Sequence, residues 1–282
     1  MQPVTFVHLS DTHFGPTAEY SRQGHRSLPY ARHVIDMINH LPTRPDFVIH
    51  TGDVTTHPTE ASYQLAAETF ATLEYPVYYC TGNHDRSADI HRYMAMGPKE
   101  DCQPGTDTLS YTFEVRGERF LVLDARGPDE IDPHGLLSAQ QMDVLRREAT
   151  PDGPPLTIFT HYPALRLNAP WMDANMLIFN GEEMHQALLP ARERLRGVFY
   201  GHIHNSMQTV RDGILYCAVA STFAGFTTWP NEEMIRADHD AMPAFNFVQC
   251  LPDQTIIQQR PFARLAGEPV RTRENDSGSL ED

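Results

Sequence analysis

No stretch of this chain is apolar for long enough to cross a bilayer, so a membrane-spanning protein is not expected. Positive charge is also scarce. Lys and Arg number 22 against 37 Asp and Glu, a formal net charge of −15 with His neutral, and no basic run offsets it. Such a surface repels nucleic-acid backbones and anionic membranes, which argues against long nucleic acid or a membrane as partner. The four cysteines (Cys80, Cys102, Cys217 and Cys250) are scattered, with neither zinc-knuckle nor disulfide spacing. Met1-Gln2-Pro3 leads straight into an apolar run, so no signal peptide is expected and the cytoplasm is the expected compartment. What the chain has in excess is histidine: fifteen residues, more than packing calls for, in a chain whose 40% hydrophobic content can build a large core.

The apolar runs are short. Val4 to Ser10, Asp46 to Thr51 and the run from Pro76 read as buried strands. Helices separate them, from Ser27 to His40 and from Thr59 to about Leu73, with Ser27 and Thr59 as caps. This β-α-β-α-β order predicts parallel strands with right-handed crossovers. Ser87 is expected to cap a helix to about Met96, and residues 97–108 to form a loop. Ser110 to Val115 and Arg119 to Asp124 then read as an antiparallel pair, and Ser138 with Gln141 as a capping box. Further strands follow at Leu156 to Thr160 and Gly197 to Tyr200, with a helix from Gly181 to Arg192 between them. A hairpin (Met207 to Val210, Ile214 to Cys217) and two last strands (Phe245 to Cys250, Thr255 to Gln259) complete a domain placed at 1–265. Residues 266–282 are polar and charged and read as a disordered tail. The two halves share an element order, which predicts an α/β fold of two packed mixed sheets with helices outside.

Five of the strands end alike, in Asp11-Thr12-His13, Gly52-Asp53, Gly82-Asn83-His84-Asp85, His161 and Gly201-His202-Ile203-His204. An Asp-x-His triplet is a weak signal, and a Gly-Asn pair alone is most often only a turn. Together the blocks collect imidazole, carboxylate and amide groups where open α/β sheets keep their ligands. With no thiolate, the set suits Fe, Mn, Zn or Co and not a structural cysteine site. Eight groups are too many for one ion. They suit two ions about 3.5–4 Å apart sharing a carboxylate, an arrangement used for in-line displacement at phosphorus. His202 and His204 are expected to serve adjacent metals because alternate residues of an extended strand point the same way. His8 and His50, inside strands, read as satisfied core histidines; the rest, among them His25 and His185, read as surface or packing residues.

As an ordered set these blocks resemble the calcineurin-like metallophosphoesterase superfamily, over nearly the whole chain to about residue 260. Length and spacing look most like its class III branch of cyclic-nucleotide phosphodiesterases and glycerophosphodiesterases. The resemblance implies a four-layer α-β-β-α sandwich with a dimetal site at strand C-terminal ends. It also implies one metal on Asp11, His13, Asp53 and His204 and the other on Asp53, Asn83, His161 and His202, with Asp53 bridging. The implied reaction is hydrolysis of a small phosphodiester, a cyclic nucleotide such as cyclic AMP or a glycerophosphodiester, by a metal-bridging hydroxide. His84 would stabilise charge or protonate the leaving oxygen, Asp85 would orient a ligand histidine, and Arg86 would bind a phosphate oxygen. The alternatives are a phosphomonoesterase or nuclease on the same scaffold, or a non-catalytic binding module of the same fold. The chain departs from many relatives at His161-Tyr162-Pro163-Ala164, where they carry His-His-Pro-Pro. Two aromatic patches, Trp171-Met172-Asp173 and Phe226-Thr227-Thr228-Trp229, read as loop packing. A base- or glycerol-binding wall, or a contact in a homodimer or higher homo-oligomer, is the alternative.

Overall fold

Phenylalanine joins the two halves of the molecule. Phe6 stands edge-on to Phe120, Phe159 and Phe199 at centroid distances of 6.1, 5.5 and 5.4 Å, and Phe47 edge-on to Phe113 and Phe120 at 5.1 and 5.0 Å. Each such pair adds about 0.5–1.5 kcal/mol beyond area burial. A computed structural model describes residues 3–238 and 240–265. The tail expected at 266–282 lies outside them.

The first half runs β1 (Val4–Leu9), α1 (Ser27–Asn39), β2 (Phe47–His50), α2 (Glu60–Phe70), β3 (Val77–Tyr79) and α3 (Ser87–Tyr93). Then come β4 (Glu100–Asp101), β5 (Tyr111–Val115), β6 (Glu118–Val122), α4 (Ala139–Glu148), β7 (Leu156–Phe159), α5 (Pro170–Asn175) and α6 (Gly181–Leu188). The chain continues through β8 (Leu195–Tyr200), β9 (Gln208–Arg211), β10 (Ile214–Ala218), a ribbon of β11 (Gly225–Phe226) and β12 (Ala237–Asp238), then β13 (Ala244–Cys250) and β14 (Thr255–Pro261). One sheet has the order β14-β13-β1-β2-β3, the other β4-β5-β6-β7-β8-β10-β9. Both are mixed: β1, β2 and β3 are parallel, as are β6, β7, β8 and β10, and the remaining neighbours pair antiparallel. Val34 and Ile38 of α1 and Tyr63 of α2 share a buried cluster with the first sheet, and Leu145 of α4 and Met184 of α6 share one with the second. The layers are therefore helix, sheet, sheet, helix, as expected. All four cysteines are free thiols. Among the described residues no helix is long and apolar enough to cross a membrane.

Some local expectations need correction. Thr59 does cap α2, and Ser138 with Gln141 does form the capping box of α4. Ser27 and Ser87, however, are the first helical residues and make no cap bond. The Ser87 hydroxyl instead donates to the buried Asp124 carboxylate at 2.5 Å, and its helix stops at Tyr93, short of Met96. The loop at 97–108 contains β4, paired to β5. Trp171 to Asp173 belong to α5, opened by Pro170, where the missing N–H costs nothing.

Candidate active site

The strands β1, β2, β3, β7 and β8 all release their chains at one edge, and the loops that follow carry the expected residues. Five of these residues are in the left-handed backbone region: Asp11, His13, Asp53, His202 and His204, with φ of 57, 47, 54, 69 and 49°. Side chains other than glycine adopt it at a cost of roughly 1–2 kcal/mol each, which marks a constrained site. The expectation for His202 and His204 is corrected here. β8 ends at Tyr200, so left-handed turns and not strand alternation aim the two rings. Close approach needs glycine as well: a Cβ on Gly82 would collide with Asp53, and one on Gly52 (φ 102°) would stand 2.6 Å from His161 Nδ1.

Asp11, His13, Asp53 and His204 each offer a ligand atom within 4.8 Å of one another, and so do Asp53, His161 and His202. Asp53 belongs to both groups. Its Oδ2 lies 3.5 Å from His13 Nε2 and 3.4 Å from His161 Nε2. Several polar atoms of the expected ligand residues are buried with no hydrogen-bond partner, among them Asp11 Oδ1, Asn83 Oδ1, His161 Nε2 and His202 Nε2. Buried polar atoms are normally paired, so a cluster of orphaned acceptor atoms fits cations. The electrostatics agree. Burial pushes the pKa of His161 down, but Asp53 outweighs it and lifts it to about 9, so positive charge is favoured beside Nε2. Burial alone would raise Asp53; the imidazoles of His161, His84 and His13 hold it well below the usual carboxylate range.

The surroundings fix these groups in place. His161 Nδ1 donates to the Thr51 carbonyl at 2.7 Å, which turns Nε2 inward, and the Asp11 carboxylate accepts from His202 N at 3.1 Å. His8 and His50 are satisfied core histidines, on Thr51 Oγ1 at 3.0 Å and Thr12 Oγ1 at 2.9 Å; burial lowers the pKa of each to about 3. Asp85 differs from expectation. It orients no histidine; its carboxylate accepts from the backbone N–H groups of Val54, Thr55 and Gly82, each at 3.1 Å, tying the loop after β2 to the loop after β3. His84 N donates to Asp53 Oδ1 at 3.0 Å, and its ring Nδ1 donates to the Thr56 carbonyl at 2.9 Å. Nε2 is thus the nitrogen left facing the site, and burial, the largest influence, lowers the pKa of His84 to about 4.

A family description, "Calcineurin-like phosphoesterase", matches residues 4–206. The chain belongs to the calcineurin-like phosphoesterase family. Among curated relatives of this phosphoesterase, a 3',5'-cyclic-nucleotide phosphodiesterase of Nostoc is 24% identical over 275 residues, 96% of this chain and 97% of that one. A probable glycerophosphodiester phosphodiesterase of Arcobacter nitrofigilis is 30% identical over 220 residues, 76% of this chain and 77% of that one. Among solved structures, a dimetal phosphatase from Danio rerio superposes with a TM-score of 0.68 at 17% identity, covering 93% of this chain and 97% of that one; that likeness concerns the fold.

Beside the phosphoesterase centre lies a recess of about 240 Å³, lined by Asn83, His84, Arg86, Arg126, Asp129 and Asp132 together with Thr56, His57 and Pro58. Arg86 reaches it half-exposed and engaged to Asp129 at 3.2 Å. Tyr162 packs its ring against His161 and His202, both at 4.9 Å, with a buried and unpartnered hydroxyl. Phe226 stacks on His204 at 4.5 Å, so part of the second aromatic patch does wall the centre. One residue escaped the sequence reading. Arg22, in the loop between β1 and α1, donates to His13 Nδ1 and to His84 Nε2, both at 3.2 Å. No motif marks it; a lone arginine in a polar loop reads as solvated.

Proposed function

We propose that this phosphoesterase hydrolyses a small phosphodiester, either a cyclic nucleotide or a glycerophosphodiester, at a centre of two metal ions. Asp11, His13, Asp53 and His204 would hold one ion, Asp53, Asn83, His161 and His202 the other. The observation that carries the reading is Asp53, whose carboxylate is common to both groups of converging ligand atoms. When bound, such a pair of ions supplies an activated nucleophile and a positive field for the phosphoryl oxygens. The protein's own groups do the rest. His84 lines the recess with Nδ1 committed to the Thr56 carbonyl, which leaves Nε2, now bonded to Arg22, as the nitrogen that would act on the leaving oxygen or on charge building at phosphorus. Arg86 and Arg126 offer donors, and Asp129 and Asp132 acceptors, to a polar leaving group in the recess. Names of the relatives support the diester class, and the net charge of −15 fits a small substrate better than a nucleic-acid backbone.

The test is turnover of cyclic AMP, glycerophosphocholine, bis-aryl and mono-aryl phosphates by protein reconstituted with Fe, Mn, Zn or Co. Diesters are expected to have the higher kcat/KM. A monoester preference of about tenfold, some 1.4 kcal/mol of transition-state binding, would instead place the chain with phosphomonoesterases.

A further inference from the structure

Arg22 is built into the mouth of the site. Its backbone closes a tight turn, Arg22 N to the His25 carbonyl and His25 N to the Arg22 carbonyl, each at 2.9 Å, over Gln23 and Gly24 at φ 51 and 81°. The turn leans on Phe223: the His25 ring lies 6.2 Å from it, and Phe223 in turn stands edge-on to His13 at 5.8 Å. The guanidinium is thereby held between His13 and His84, one N–H on each ring, while its Nε is buried with no partner. One of those two bonds conflicts with the occupied site. A cation held by His13 Nε2 leaves the ring's remaining proton on Nδ1, where it would meet the N–H of Arg22, donor to donor. Arg22 must then release His13 and present free donors at the edge of the centre.

We propose that Arg22 binds a non-bridging oxygen of the substrate's phosphoryl group. The inference rests on the phosphodiesterase reading above and names a group that reading does not use. A guanidinium fork suits paired phosphoryl oxygens, and Arg86 is already engaged to Asp129. As Arg22 turns to the phosphoryl group, it also frees His84 Nε2 for the leaving oxygen. A positive charge fixed here also offsets, at the one place that matters, a chain of net charge −15 that would otherwise repel its substrate.

The experiment uses the metal-loaded full chain and inorganic phosphate as the probe, with Arg22→Gln and Arg22→Lys beside the parent. Metal content per chain, phosphate affinity by calorimetry, and KM and kcat for a bis-aryl diester are measured. In Arg22→Gln both metals should stay while phosphate affinity falls roughly 10- to 100-fold, as for lost charge-assisted hydrogen bonds. KM should rise more than kcat falls, and Arg22→Lys should recover part of the affinity. Unchanged phosphate affinity overturns the proposal, and so does a loss of metal in step with affinity, which would make Arg22 a support of the metal site alone. If Arg22→Gln does not fold, Arg22→Lys decides by the same two readouts. Because phosphate binding is read without turnover, a parent that hydrolyses no diester would refute the phosphodiesterase reading and leave this result standing.

Discussion

His13 and His204 meet Nε2 to Nε2 at 3.0 Å, with Asp53 3.5 Å from the first ring and Asp11 3.3 Å from the second. Two ring nitrogens so close, flanked by two carboxylates, are best satisfied by a shared cation. Removing metal should therefore destabilise the fold. A ligand at a thousand times its Kd contributes about 4 kcal/mol, and roughly 2 °C per kcal/mol is usual for a large domain. Chelation is expected to lower Tm by several degrees in a calorimetric scan, with recovery on adding metal back. An unchanged Tm would show that the cluster holds no ion.

Asp53→Ala should do more harm than loss of any residue confined to one group. It is expected to bring metal content below that of His202→Ala or His204→Ala. Activity should fall by well over the 10- to 100-fold typical of residues that only orient a ligand. Near-normal metal content by elemental analysis would end the two-metal assignment.

His84→Ala should keep both metals and lose kcat, by about 10²- to 10³-fold if it works on the transition state. If His84 serves as the acid, the defect should be greater for a glycerol or ribose leaving group than for a nitrophenyl one. Equal defects would assign it to charge stabilisation, and loss of a metal would make it a ligand.

Asp85→Asn should act through architecture. The amide keeps one acceptor oxygen but turns an N–H₂ toward backbone N–H groups that the carboxylate now receives. Loss of charge-assisted bonds of this kind costs about 1.5–3 kcal/mol, measurable as a lower urea midpoint. Activity should drop with it, because the loops bearing Asp53 and Asn83 lose their tie. A variant as stable as the parent would contradict the role given to Asp85.

The buried histidines set an acid limit. His8 and His50 are neutral in the fold, with pKa values lowered to about 3, while in the unfolded chain each takes up a proton below its usual 6.5. Their contribution is complete above that value and is lost as pH falls. Each should cost about 1.4 kcal/mol per pH unit between roughly pH 6 and 4. Denaturant unfolding across that range should show the slope, and His8→Gln should reduce it by one proton.

The strand-end blocks made the convergence of these side chains readable in advance, because each block stands at the exit of a strand on the same edge. Their order along the chain was as informative as their identity. Less of the backbone was visible. Nothing in Asp11, His13, Asp53, His202 or His204 announces a left-handed φ, since that conformation is imposed by the loops around it and not preferred by the residue. Asp85 was misread for a similar reason: its partners are backbone N–H groups, which every sequence contains. Arg22 stayed hidden because its contacts lie 9 and 62 positions away, through a turn whose only local sign is Gly24.

The five left-handed residues of the centre carry a consequence for how this protein can change. Released from catalysis, each would be better replaced by glycine, and at roughly 1 kcal/mol apiece the combined relief approaches the whole margin by which many domains stay folded. A lineage that no longer needed the reaction would gain stability by discarding these side chains one by one. Keeping all five side chains therefore costs the fold stability that five glycines would not, and that cost sits in backbone angles as much as in the side chains themselves.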